Sequence, residues 1–161
     1  FPKVDGEPKP IYQSFRNDRV CCRWLARTTK IFRNDSSDQY KLSQWFKVEL
    51  NGEELRLRLE LRASSSGTGH RMSTFSASGG RGKVLVIFLG GGLPQSFPSL
   101  EVKIAVGRGK RRVWKGPQTA RLEGAKTRFE LDGAEWDLKG ARDDDGNHHL
   151  PVVVELSTRA A

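Results

Sequence analysis

Residues 46–62 hold the pattern that most narrows what this chain can fold into. Phe46, Val48 and Leu50 alternate with Lys47 and Glu49; Asn51-Gly52 follows; then Leu55, Leu57, Leu59 and Leu61 alternate with Arg56, Arg58, Glu60 and Arg62. A period of two sustained over eight residues describes a strand with one buried face. The intrinsic propensities of Leu, Glu and Arg favour a helix. Leucines at every second position would spiral around a helix and share no face, however, so the strand assignment prevails. Asn-Gly accepts the positive φ angles that a type I′ turn requires, and the two runs are expected to form a hairpin.

The rest of the chain follows the same grammar. Residues 20–32, around Trp24, are expected to form one strand or two, and residues 34–38 a polar turn. Residues 83–89 contain the longest strongly apolar run, Val84-Leu85-Val86-Ile87-Phe88-Leu89, which suits a central strand buried on both faces. Leu100, Val102, Ile104 and Val106 alternate again. Shorter strands are expected over 110–115, 127–131 and 136–138, and a closing one over 150–156. Residues 63–82 are rich in Ser, Gly and Thr, with Met72 and Phe75 their only sizeable apolar groups, and are expected to form a flexible loop. Residues 1–19, with Pro2, Pro8 and Pro10, suit an extended lead-in, 20–157 a single domain and 158–161 a tail. Seven or eight mostly alternating strands and no helix predict an all-β antiparallel sandwich, with a barrel as the alternative.

The six-residue apolar run is far short of the roughly 20 residues needed to cross a bilayer, so no membrane association is expected. The opening Phe1-Pro2-Lys3-Val4-Asp5 has charges where a signal peptide carries its apolar core. A chain starting on Phe rather than Met is expected to be a segment or a processed form. Cys21 and Cys22 are adjacent and on a strand would point to opposite faces. One core thiol and one partly exposed thiol are expected, in a reducing compartment, cytoplasmic or nuclear.

Catalytic chemistry is thinly represented. The three histidines are His70, in the Ser/Gly-rich loop, and His148 and His149, adjacent in a polar turn. Zinc-type CxxC spacing is absent. Asp143, Asp145 and Asn147 imitate the first ligands of a calcium loop, but His148 and Val154 stand where its glycine and bidentate glutamate belong. Gly90-Gly91-Gly92 lacks the spacing and the helix of a phosphate cradle. No catalytic residue, cofactor or metal is expected, and no enzymatic activity.

The strongest local charge signal is Arg108, Lys110, Arg111, Arg112 and Lys115, gathered around Trp114 with no acid among them. The whole chain has 28 Lys and Arg against 19 Asp and Glu, a net charge of +9. Cations beside an aromatic suit phosphate neutralisation plus base stacking, which would make nucleic acid or another polyanion a partner. The alternative is a solvated basic edge that discourages aggregation, with Trp114 packed inward.

The order of blocks resembles the MATH (meprin and TRAF homology) domain family. Trp24 is placed like the Trp of the family's first strand. Ser43-Gln44-Trp45-Phe46-Lys47-Val48 and Asn51-Gly52-Glu53-Glu54-Leu55-Arg56-Leu57 look like its Ser-x-x-Phe strand, turn and following strand. Val84-Leu85-Val86-Ile87-Phe88-Leu89 and the strand over 100–106 are similar to later strands. Arg128-Phe129 followed by Trp136-Asp137-Leu138 looks like "RF…WGF", and Leu150-Pro151-Val152-Val153-Val154-Glu155-Leu156 like the last strand. The similarity runs over 20–156. Departures are Asp137 and Leu138 for the family's Gly and Phe, Thr127 for the aromatic before "RF", and Leu55 for a Trp. The resemblance implies an eight-stranded antiparallel sandwich that binds extended peptides of partner proteins by strand addition. It implies a peptide surface that includes Thr127, Glu135, Trp136 and Leu138.

Overall fold

The computed structural model describes residues 9–11, 18–33, 37–64, 74–89, 99–142 and 149–158. The Asn51-Gly52 turn takes positive φ at both positions, 52° and 77°, and joins β4 (Phe46–Leu50) to β5 (Glu53–Ala63) as an antiparallel hairpin. The other strands are β1 (Lys9–Ile11), β2 (Arg19–Arg27), β3 (Tyr40–Leu42), β6 (Arg81–Leu89), β7 (Ser99–Val106), β8 (Val113–Arg121), β9 (Lys126–Glu130), β10 (Trp136–Asp137) and β11 (His149–Ser157).

They form two antiparallel sheets. The first runs β1-β2-β11-β7-β8. In the second, β5 and β6 are central: β3 and β4 both pair with the far edge of β5, and β9 and β10 follow one another along β6. The alternation decides which side chains lie between the sheets. Leu55, Leu57, Leu59 and Leu61 are fully buried in one cluster with Val86 and Phe88 of β6, Val20, Cys22 and Trp24 of β2, and Val152, Val154 and Leu156 of β11. Truncating any one of these leucines to alanine is worth about 2–5 kcal/mol. β6 is buried on both faces, as its continuous apolar run implies: Leu85 and Ile87 point away from the core cluster yet are also buried.

The structure corrects three expectations and adds to a fourth. Residues 63–82 are not one loop, because Ala63 belongs to β5 and Arg81 and Gly82 to β6. Residues 75–80 form turns held by backbone bonds from Phe75 N to Asp38 O and from Gly80 N to Phe75 O, each 2.9 Å. Phe75 is 1% exposed and meets Phe32 edge-on at 5.5 Å. Its aromatic burial outweighs the polar composition around it. Second, two short strands are added, β1 within the extended lead-in and β3 between the expected turn over 34–38 and β4. Third, the strand expected over 110–115 begins only at Val113 and runs on to Arg121, with a 3-10 turn over Gly109–Arg111 before it. Gly116-Pro117 concealed this strand. Proline is tolerated because β8 is an edge strand, and Gly116 has φ +96° with Val102 O 2.8 Å from where a Cβ would sit. Fourth, Cys21 and Cys22 do point to opposite faces, but both are buried. Cys21 lies between its cross-strand neighbours, with β1 on one side and Glu155 of β11 on the other. His70, Gly90-Gly91-Gly92, Asp143 to Asn147 and His148 lie outside the described residues.

If Phe75 fastens its turn to the core, Phe75→Ala lowers unfolding stability by about 3–5 kcal/mol in urea titration. A loss under about 1 kcal/mol would mean that the turn merely rests on the surface.

Candidate functional site

The site is built where the two sheets end side by side. β8 closes the first sheet, and β9 and β10 close the second along β6; among the described residues none of the three has a partner on its other side. Residues 122–125 connect β8 to β9. Thr127 closes that connection: its hydroxyl donates to Glu123 O at 3.0 Å and accepts from Glu123 N at 3.1 Å. Two bonds then tie the sheets together along this side. Trp136 Nε1 donates to Val113 O at 3.0 Å, and Asp132 N donates to Gln118 Oε1 at 2.8 Å.

The four residues expected on a peptide surface therefore divide. Trp136 is 4% exposed and Leu138 fully buried, so neither is an open contact. Leu138 packs over Gly82, where a Cβ would come within 2.6 Å of Leu138 Cδ1 and 2.5 Å of Arg62 O. Trp136 retains one link to the surface, as part of the lining of a cleft of about 190 Å³ that it shares with Val106, Arg111, Val113 and Asp137. Thr127 is half-buried and engaged by its own turn. Glu135 is exposed, 3.7 Å from Arg81. Two of the four, Trp136 and Leu138, are core side chains that the sequence reading assigned to a surface.

Sequence reasoning missed what borders β9. On the outer face of the second sheet, Lys126, Arg128 and Glu130 stand opposite Leu89, Ile87 and Leu85 of β6. Glu60, 4% exposed, accepts from Arg62 Nε at 2.6 Å and from an Arg128 guanidinium nitrogen at 3.1 Å. One carboxylate thus ties β5 to β9 across β6, and both cations keep a charge-assisted partner. Arg58 donates to Ser43 O at 3.1 Å and lies 4.7 Å from the Trp45 ring centre. The signal was in the sequence as Glu60 among Arg58, Arg62 and Arg128, but the partnership depends on strand register.

The basic cluster is also divided. Arg108, Lys110 and Arg111 are exposed at the 3-10 turn, and Arg112 Nε donates to Gly107 O at 3.2 Å. Trp114 does not pack inward. It is 40% exposed, with Lys103 Nζ 5.1 Å from its ring centre. Lys115 points the other way, 5.7 Å from the Trp136 ring centre.

Among the described residues no three His, Cys, Asp or Glu side chains converge as a metal site, and no helix is long and apolar enough to cross a membrane. Burial, then the neighbouring Glu155, pushes the Cys21 thiol up to about 11; burial, then Cys21, pushes Cys22 up to about 12. Both stay protonated at neutral pH and are poor nucleophiles. No protein-family model, curated protein or solved structure matches this chain.

Two outcomes follow from these interactions. Trp136→Phe keeps the ring but removes the donor to Val113 O, so urea unfolding should show a loss of about 1 kcal/mol; an unchanged midpoint would deny the bond a structural role. For the thiols, folded values above the ordinary 9.0 mean that their stabilising contribution is full below that pH and disappears as pH rises through about 11 to 12. Replacing both with alanine should therefore flatten the alkaline fall in stability. An equal fall in the replaced protein would contradict the assignment.

Proposed function

We propose that the protein is a non-enzymatic interaction module that binds extended peptide segments of partner proteins by strand addition along β9, in the manner of the MATH domains it resembles. The observation that carries this reading is the open edge of Lys126–Glu130, which pairs only with β6 among the described residues. An edge strand presents a row of backbone donors and acceptors, and an added strand satisfies them. The edge is held in place by the side chains around it. Arg128 is fastened to Glu60, the preceding turn is closed by Thr127, and the following segment is fixed by Trp136 and Leu138. A preorganised edge reduces the ordering cost of binding.

Two further features support the reading. The chain forms two antiparallel sheets, and a two-sheet antiparallel sandwich is the architecture that the resemblance implies. The outer row of the edge, Lys126, Arg128 and Glu130, is exposed and offers charged neighbours to the side chains of an added strand. Recognition here uses the backbone of β9 and this outer row, with Trp136 and Leu138 as supports beneath.

Selection from a random peptide library followed by amide hydrogen exchange tests the proposal. Selected peptides should slow exchange within residues 126–130, and N-methylation at alternate peptide positions should abolish binding. Failure to select any sequence preference, or protection confined to another part of the molecule, would refute it.

A further inference from the structure

From residue 102 to residue 122 the chain carries Lys103, Arg108, Lys110, Arg111, Arg112, Lys115 and Arg121 and no Asp or Glu. These residues make up most of the β7–β8 hairpin, including the 3-10 turn between its strands. The turn is braced at every step. Gly107 N donates to Pro151 O at 2.9 Å, Arg111 N to Arg108 O at 3.0 Å, and Arg112 N to Gly109 O at 3.1 Å, while the Arg112 side chain returns to Gly107 O. Gly107 has φ +107°, and a Cβ there would stand 2.7 Å from Arg111 O. A folded, glycine-dependent loop therefore presents Arg108, Lys110 and Arg111 to solvent.

Beside this loop lies a large aromatic that the fold leaves uncovered. Trp24 and Trp136 are buried, whereas Trp114 and its neighbour Val113 are 40% and 49% exposed. Trp114 lies opposite Ala105, on the outer face of the first sheet, where the register continues through Val153 to Arg23. Exposing an indole on an edge strand forgoes apolar burial. Lys103 compensates in part through its position at the ring.

We propose that this hairpin is a binding site for single-stranded nucleic acid. Trp114 is the stacking platform for a base, and Lys103, Arg108 and Lys110 meet the flanking phosphates. Both parts of that chemistry are needed by a single strand: cations that track the backbone, and an exposed aromatic face on which an unpaired base can stack. A duplex keeps its bases stacked internally and has no use for Trp114. An anionic membrane would require a broader apolar surface than Val113 and Trp114 provide. The site lies on the first sheet and stands independently of peptide addition at β9. Lys115 is directed toward Trp136 and Arg111 lines the cleft beside Trp136 and Asp137, so neither is part of it.

Fluorescence anisotropy with a labelled oligo-dT or oligo-U of about fifteen nucleotides tests the assignment. Binding is expected at about 50 mM salt and should weaken steeply by about 200 mM. Trp114→Ala should reduce affinity about tenfold, with Trp114→Phe retaining most of it. The double variant R108A/K110A should flatten the dependence of log affinity on log salt by about 1.4, near 0.7 for each phosphate no longer neutralised. All these positions are exposed, and an unchanged far-ultraviolet spectrum verifies that the variants fold. The proposal is overturned by absence of binding at the lower salt, by a Trp114→Ala variant that binds as well as the parent, or by equal affinity for a duplex of the same length. Sedimentation with phosphatidylserine vesicles without oligonucleotide binding would overturn it in favour of a membrane surface.

Discussion

A strand whose leucines fall at every second position must place them all on one face, and that face is stable only against another apolar layer. β5 meets the requirement with Leu55, Leu57, Leu59 and Leu61 fully buried against side chains of the opposite sheet. Its backbone is satisfied on one side by β6 and on the other by β4 and then β3. With β5 and β6 saturated as the centre of one sheet, β3, β4, β9 and β10 take its margins. One flank of the first sheet is extended by β1 and the near flank of the second by β3 and β4. The opposite flank ends in β8, β9 and β10, and both proposed interactions lie along it.

Open strands invite association with other chains, and this side carries the features that discourage it. β8 contains Pro117, with Lys115 and Arg121 and no acid; β9 alternates Lys126, Arg128 and Glu130 with inward residues. The bonds from Trp136 to Val113 O and from Asp132 N to Gln118 link the margins of the two sheets. Glu60 adds a second constraint from the outer face by holding Arg62 and Arg128 together. Its removal would leave two cations without their closest acceptor. These interactions hold β9 at the margin of its sheet with Phe129 buried and Lys126, Arg128 and Glu130 exposed.

Much of the fold was legible in the order of residues. The β4–β5 hairpin, the two-faced burial of β6 and the alternation in β7 followed directly from period and turn residues. What escaped was decided by partners distant in sequence. Phe75 looked isolated in a Ser/Gly-rich stretch because its partner, Phe32, lies far earlier in the chain. The strand expected over 110–115 stopped short of Gly116-Pro117, and nothing local says that β8 lies at an edge where a proline is tolerated. Trp136 and Leu138 were assigned to a surface, although Gly82 gives Leu138 a place to pack and Val113 O gives the Trp136 indole an acceptor.

The amino-acid order alone determined the class of structure, since a repeat of two cannot be satisfied by a helix and an Asn-Gly step selects a tight reversal. It also determined that residues 102–122 would carry seven cations and no acid. Only the tertiary arrangement decided which strands would be left at the margin, which of the tryptophans would remain uncovered, and which arginines would meet the buried Glu60. Those outcomes depend on register and on layer-to-layer packing, and both are properties of segments brought together from opposite ends of the chain.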